Sequence, residues 1–337
     1  MQFPVFCGLY IFLVINFIGF VTSGQCSINQ QKNFGLAINK DGVLVKDGMS
    51  YRGIGVNYFD AFSRTLRNPK ETSYREGFAE LSRLGIPFIR MMGCGFWPKD
   101  WKLYFDDKES YLKLMDGVVK YAEENEIGLI ISLFWHSPTV PDLVGEPRNQ
   151  WGNPQSKTIE FMRNYVREVV TRYNDSPAIW GWEFGNEYNL AADLPNAAEH
   201  RPPIVPSLGT PDIRSKNDDL THDMIVTAFA EFAKEVRRYD QYRVISTGNS
   251  APRPSAWHQW KEKSWTQDTK EQYAERLLLD NPSPADLVSI HLYEHTMKRF
   301  GSEVSVEDFL KFSMDTAKRA KKVLFVGEFG ANATYNA

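Results

Sequence analysis

Residues 182–187 read Trp-Glu-Phe-Gly-Asn-Glu, and this stretch does most to decide the fold. It completes a short apolar run that starts at Ile179 and has the composition of a buried strand. A second run of this kind, residues 323–326, is followed by Gly-Glu-Phe-Gly, in which the acid is Glu328. Glu187 and Glu328 therefore each stand where a strand is predicted to stop. A carboxylate at the mouth of a parallel strand contributes little to a core and is well placed for chemistry.

Short apolar runs alternate with amphipathic helical patterns along the chain, which is typical of βα units and a parallel sheet. The predicted strands are residues 53–57, 88–91, 129–133, 179–183, 244–246, 287–291 and 323–326. The predicted helices are residues 74–84, 111–124, 159–173, 223–239, 270–279 and 306–319. A small hairpin that turns at Asp47-Gly48 is predicted ahead of the first strand, over residues 43–51.

This pattern predicts the α/β class and, within it, a (β/α)8 TIM barrel that lacks its last strand and helix. A doubly wound open sheet is the structural alternative. However, no glycine-rich phosphate loop follows the first predicted strand, which leads straight into Tyr58. The 337 residues are enough for one such barrel, which we expect over residues 30–337 with an incomplete C-terminal end.

The N-terminal residues and the charge balance indicate the cellular setting. Residues 3–21 are almost continuously apolar and are followed by small residues, which predicts a signal peptide over residues 1–24 and a secreted or extracytoplasmic protein. An uncleaved N-terminal membrane anchor is the alternative. Lysine plus arginine (39) nearly balance aspartate plus glutamate (42), so the clustered basic excess of a nucleic-acid-binding protein is not expected.

Polar, titratable or aromatic residues recur where the predicted strands end. Because the carboxyl ends of parallel strands meet at one face of a barrel, we expect these side chains to lie together. A core-packing account does not require such a pattern. The residues concerned are Arg90, Trp135, His136, Asn186, Glu187, His291, Tyr293 and Glu328.

The three motifs at residues 182–187, 290–293 (Ile-His-Leu-Tyr) and 326–330 (Val-Gly-Glu-Phe-Gly) together resemble glycoside hydrolase family 5. The family belongs to the clan of barrel glycosidases that carry catalytic glutamates after strands four and seven. The resemblance implies that Glu187 is the general acid/base and Glu328 the nucleophile.

The same resemblance implies further site roles. Asn186 would hydrogen-bond the 2-hydroxyl of a sugar, Arg90 and Tyr293 would support the nucleophile, and His136 and His291 would line the adjacent subsite. Trp135 is a further candidate for contact with the sugar. Other tryptophans expected in loops at this face are Trp97, Trp101, Trp257, Trp260 and Trp265.

A retaining mechanism needs the two carboxyl groups about 5–5.5 Å apart. We expect burial and the neighbouring negative charge to raise the pKa of Glu187, so that it stays protonated. The expected substrate is a β-1,4-linked mannan or glucan, attacked by an endo-acting monomer without metal or organic cofactor. A non-catalytic carbohydrate-binding barrel, or an inactive truncated product, is the alternative.

Two residue patterns compete with this interpretation. Glu183 precedes Glu187 by four residues on the same predicted strand and could be a paired structural carboxylate. Residues 291–295, His-Leu-Tyr-Glu-His, match an inverted zinc-peptidase string. That chemistry needs both histidines on one face of a helix, whereas the preceding residues predict a strand.

Overall fold

Parallel strands form the centre of the molecule in a computed structural model that describes residues 35–293 and 296–330. The five-stranded sheet has the order β4-β5-β6-β7-β8, and β9 pairs in parallel with β12. The strands are β1 (Leu36–Ile38), β2 (Leu44–Lys46), β3 (Met49–Ser50), β4 (Val56–Asn57), β5 (Phe88–Met92), β6 (Gly128–Phe134), β7 (Ile179–Gly185), β8 (Val244–Ser246), β9 (Leu287–Leu292), β10 (Thr296–Arg299), β11 (Ser302–Ser305) and β12 (Val323–Phe329).

Helices connect the successive parallel strands, as the alternating sequence pattern predicts. They are α1 (Ser63–Arg67), α2 (Tyr74–Arg83), α3 (Lys102–Asp106), α4 (Lys108–Glu124), α5 (Thr139–Val144), α6 (Lys157–Tyr173), α7 (His222–Tyr239), α8 (Ala256–Glu262), α9 (Lys270–Leu279) and α10 (Val306–Arg319). None of these described helices is long and apolar enough to cross a membrane. The predicted signal peptide, residues 1–24, lies outside the described residues.

Hydrogen bonds between strands show that the sheet closes into a barrel and is not open. The backbone N–H of Asp286, just before β9, donates to the Ile245 carbonyl on β8 at 3.0 Å, so these two strands are neighbours. In a flat sheet, β5 and β12 would then lie five spacings apart, roughly 24 Å. Instead, Arg90 on β5 donates to Glu328 on β12 at 2.7 Å. The doubly wound alternative is therefore wrong, and the prediction of a barrel is confirmed.

The barrel interior is apolar at the amino ends of the strands and polar at their carboxyl ends. The apolar layer consists of Phe88, Ile130, Trp180, Val244 and Leu287, and Leu36 of the β1-β2-β3 meander packs against it. The intervening strand residues point outward, where they form the main core with the surrounding helices. This arrangement closes one end of the barrel and leaves the polar end for a site.

The edges of β4 and β12 have no strand partner among the described residues. Val56 on β4 is 37% exposed and Phe329 on β12 is 60% exposed, although barrel strands are normally covered. Residues 331–337 lie outside the described residues, so the expectation of a missing eighth strand stays a prediction.

The predicted elements agree closely with the structure. All seven predicted barrel strands and all six predicted helices are present, with boundaries that differ by a few residues, and the turn at Asp47-Gly48 joins β2 to β3. Sequence reasoning missed β1 and the β10-β11 hairpin. That hairpin turns at Phe300 and Gly301, both of which have positive φ, and a single glycine is a weak signal for it.

A buried ion pair anchors the amino end of the site-bearing strand β7. Asp240 accepts hydrogen bonds from the Trp182 indole at 2.8 Å and from Arg243 Nη1 at 2.8 Å. Burial alone would raise the pKa of Asp240, but these hydrogen bonds outweigh it and the pKa is lowered. Arg243 also donates to the carbonyls of Ile179, Asn174 and Ser176.

We predict that Asp240→Ala lowers the free energy of unfolding by about 3–5 kcal/mol, because it leaves the buried Arg243 charge without its partner. Urea denaturation followed by circular dichroism measures this loss. The matched control is Glu80→Ala, which removes an exposed ion pair to Arg83 and should leave the midpoint nearly unchanged. Equal effects of the two variants would contradict the anchoring role.

Candidate active site

The polar mouth of the barrel is organised around Glu328, which is held by two donors. Arg90 Nη1 donates to Oε1 at 2.7 Å, and the Tyr293 hydroxyl donates to Oε2 at 2.5 Å. Each carboxylate oxygen therefore has its own donor. This geometry fixes the orientation of the carboxylate.

A β-bulge aims Glu328 into the barrel mouth. Val323 and Phe325 face the interior, while Leu324 and Val326 pack outward, so strict alternation would turn residue 328 outward. The register shifts between Val326 and Glu328, and Glu328 pairs with His291. The extra residue is Gly327. A Cβ at this position would come within 2.8 Å of His291 Nε2, so the bulge needs glycine.

Arg90 is almost fully buried and uses its whole guanidinium. Nε donates to Glu183 Oε1 at 2.8 Å, and Nη2 donates to Asn186 Oδ1 at 2.8 Å. Its guanidinium carbon lies 4.5 Å from the centroid of the Trp135 ring. Glu183 is therefore the paired carboxylate that the sequence suggested, and Arg90 lies between it and Glu328.

Glu187, two residues after the end of β7, lies in the left-handed backbone region, with φ 54° and ψ 30°. Its backbone N–H donates to the Gly248 carbonyl at 2.9 Å, which ties it to the loop after β8. Nδ1 of His291 lies 2.9 Å from Glu187 Oε1 and 3.6 Å from Glu328 Oε1. His291 thus lies between the two carboxylates.

One oxygen of Glu187, one of Glu328 and a ring nitrogen of His291 all lie within 4.8 Å of one another. These three atoms could hold a metal ion by their chemistry and spacing. The charge of Arg90, 2.7 Å from Glu328, would oppose such a cation. The described geometry therefore suits an acid and a base acting on one bond better than a metal centre.

The pKa of Glu187 differs from the expectation. The hydrogen bond from His291 lowers it, and this effect outweighs the burial that raises it. Arg90 lowers the pKa further. The expectation of a raised pKa is therefore wrong for the unliganded site, because it considered burial and the second carboxylate but not the position of His291.

His136 forms a wall of the mouth at the end of β6. Its ring stacks on Phe96 with centroids 4.4 Å apart and an interplanar angle of 9°, and Trp97 contacts its edge. Burial lowers the pKa of His136 to about 4, so the ring is neutral at ordinary pH. Nδ1 of His136 lies 3.3 Å from Thr139 Oγ1, which leaves Nε2 for a sugar hydroxyl.

The tryptophans are divided between core and surface. Trp101 is 1% exposed and packs among aromatic residues of the main core, so its expected place at the sugar-binding face is wrong. Trp135 lies in the mouth beside Arg90, and Trp265 is 52% exposed.

His291 lies on strand β9, whereas Glu294 and His295 lie outside the described residues. The helix that a zinc-peptidase string requires is thus not formed at His291.

Sequence reasoning missed two contributors to the mouth. Asn57 ends β4; its Oδ1 accepts from Arg90 Nη1 at 3.3 Å, and its Nδ2 donates to the bulged Gly327 carbonyl at 3.0 Å. The strand-end rule that selected the other residues would have found it. The side chain of Ser250, on a loop, helps to lower the pKa of Glu187, and no sequence pattern indicates this residue.

Comparison with known proteins supports the fold and the family. Residues 51–337 match the sequence profile described as Cellulase (glycosyl hydrolase family 5). An Aspergillus flavus protein named "Probable mannan endo-1,4-beta-mannosidase F" is 30% identical over 131 residues, which are 33% of this chain and 28% of that protein. The chain thus matches under a third of that relative's length.

Solved structures of low sequence identity share the fold. An endo-1,4-beta-mannanase from Rhizomucor miehei has a TM-score of 0.53 at 16% identity, over 77% of this chain and 71% of that one. A glycoside hydrolase family 5 mannosidase from the same organism has a TM-score of 0.56 at 12% identity, over 88% and 73%. With the match over residues 51–337, the chain belongs to the cellulase family, glycosyl hydrolase family 5.

Proposed function

We propose that the protein is a retaining β-glycoside hydrolase that acts by double displacement. The observation that carries this proposal is the close approach of Glu187 and Glu328, in which one carboxylate oxygen of each lies within 4.8 Å of the other. Retaining enzymes have their carboxyl groups about 5–5.5 Å apart, whereas inverting enzymes leave about 6.5–9.5 Å for a water molecule. The spacing here supports the first class.

Glu328 is the proposed nucleophile. Its donors Arg90 and Tyr293 hold the carboxylate in one orientation. One oxygen attacks the anomeric carbon while the bond to the leaving oxygen breaks, giving a covalent glycosyl-enzyme. Water then attacks the same carbon, and Glu328 leaves as a carboxylate.

Glu187 is the proposed acid/base. It protonates the leaving oxygen in the first step and takes a proton from the attacking water in the second. His291 Nδ1 contacts Glu187 at 2.9 Å, so a proton can be shared between them during this cycle. The 31% exposure of the Glu187 side chain leaves it accessible to both the substrate and water.

The proposed substrate is a β-1,4-linked mannan, attacked within the chain, with β-1,4-glucan as the alternative. Support for mannan comes from the names of the curated relatives, including a mannan endo-1,4-beta-mannosidase F from Aspergillus clavatus that is 33% identical over 82 residues. The half-buried Trp135 and the neutral His136 supply an aromatic surface and hydroxyl-binding groups at the mouth. The apolar N-terminal run at residues 3–21 supports action outside the cytoplasm.

We predict hydrolysis of β-1,4-mannan faster than of β-1,4-glucan, measured by release of reducing ends. Glu328→Gln removes the nucleophile at constant volume and should abolish turnover on both. Its controls are wild type and Glu80→Ala, an exposed substitution far from the mouth. Binding of either polysaccharide without turnover by the wild type would instead favour the non-catalytic carbohydrate-binding barrel.

A second prediction concerns pH. The alkaline limb of kcat/KM reports loss of the proton from the acid in the free enzyme. Because His291 holds the pKa of Glu187 down, His291→Ala raises that pKa, and activity is then lost at a higher pH. A series of kcat/KM values on a phenyl glycoside substrate measures the shift.

A dinitrophenyl glycoside, whose leaving group departs without protonation, serves as the control for this pH series. Its kcat/KM should show no such limb in either enzyme. The assigned pair of Glu187 and His291 would be contradicted if the alkaline limb of kcat/KM on the phenyl substrate stayed in place, or moved to lower pH, in His291→Ala.

A further inference from the structure

The backbone of Glu187 needs support from its surroundings. Glu187 lies in the left-handed region, where a residue other than glycine persists only if neighbouring structure enforces it. The bond from Glu187 N–H to the Gly248 carbonyl supplies part of that support. Gly248 itself has φ 70°, and a Cβ there would come within 1.9 Å of the Gly185 carbonyl. The two loops after β7 and β8 are thus closely packed.

Asn189, two residues after Glu187, joins these loops through its side-chain amide. Its Nδ2 donates to the Ser250 carbonyl at 2.8 Å, and its Oδ1 accepts from the Ser250 N–H at 3.1 Å. The side chain of Ser250 in turn lies beside the carboxylate of Glu187 and helps to lower its pKa. Asn189, which is only 7% exposed, therefore ties the backbone just after Glu187 to the loop after β8.

Asp280, at the end of α9, accepts a hydrogen bond from the Asn189 side chain. Asp280 Oδ2 accepts from Asn189 Nδ2 at 3.1 Å, and its other oxygen lies 3.0 Å from Arg276 Nε. The Asp280 carbonyl accepts from Asn249 Nδ2 at 2.7 Å, and Asn249 Oδ1 accepts from the Asn189 N–H at 3.4 Å. These polar groups are all buried.

We propose that Asn189 and Asp280 are positioning residues for Glu187. They fix the direction in which its carboxylate approaches the leaving oxygen, and this inference rests on the proposed acid/base role. A low-dielectric surrounding makes such hydrogen bonds directional and makes their loss costly. Loss of either residue should therefore disturb proton transfer to the leaving group more than any other step.

The test compares two aryl glycosides of the same sugar. Glu187→Ala provides the reference, because general acid catalysis is worth roughly 10²–10⁴ for a phenyl leaving group and little for a dinitrophenyl one. In Asn189→Ala and Asp280→Ala we expect kcat/KM on the phenyl substrate to fall by about tenfold, which is part of the loss expected for Glu187→Ala. On the dinitrophenyl substrate we expect kcat/KM to fall by less than about twofold.

Asp240→Ala is the matched control. Asp240 is also a buried carboxylate paired with a buried arginine, but it lies at the amino end of the barrel. Its loss should lower stability without changing the ratio of the two rates. Circular dichroism at the assay temperature identifies folded protein, and Asp280→Ala carries the test if Asn189→Ala does not fold.

An equal fall on both substrates, or no fall, in a folded variant would overturn the positioning role while leaving the proposed function intact. If Glu187→Ala itself leaves the ratio of the two rates unchanged, the acid/base assignment fails, and the positioning role fails with it.

Discussion

The contact between Arg90 and its two carboxylates is the interaction on which the rest of the structure depends. Arg90 is only 1% exposed, so its charge must be compensated inside the barrel. Glu183 on β7 and Glu328 on β12 provide that compensation from opposite sides. Asn57 on β4 and Asn186 beyond β7 satisfy its remaining donors. One side chain therefore links barrel closure to the orientation of the proposed nucleophile.

Two departures from regular backbone place the two glutamates. The bulge at Gly327 turns Glu328 from the helix-facing side of β12 to the barrel mouth. The left-handed backbone conformation of Glu187 changes the direction of the chain just after β7 ends. Both irregularities are held by hydrogen bonds from neighbouring strands or loops, through Asn57 and Gly248. Strict alternation along β12 would have turned Glu328 outward, away from the barrel mouth.

Much of the fold and of the site could be predicted because both follow from local rules. Apolar runs of strand length predict the βα order, and the carboxyl ends of these strands, where Arg90 and Glu328 stand, lie at one end of the barrel. The lowered pKa of Glu187 could not be predicted, because its direction depends on the few ångströms between its carboxylate and His291. The Asn189–Asp280 link was also out of reach, since it joins residues 91 positions apart through loops.

The stereochemistry of the first product tests the central claim most directly. Proton NMR during hydrolysis of a β-linked oligosaccharide distinguishes the anomers before they equilibrate. If Glu187 and Glu328 act by double displacement, the β-anomer appears first and the α-anomer follows by mutarotation. Initial appearance of the α-anomer would show a single displacement by water and would contradict the assignment of Glu328 as the nucleophile.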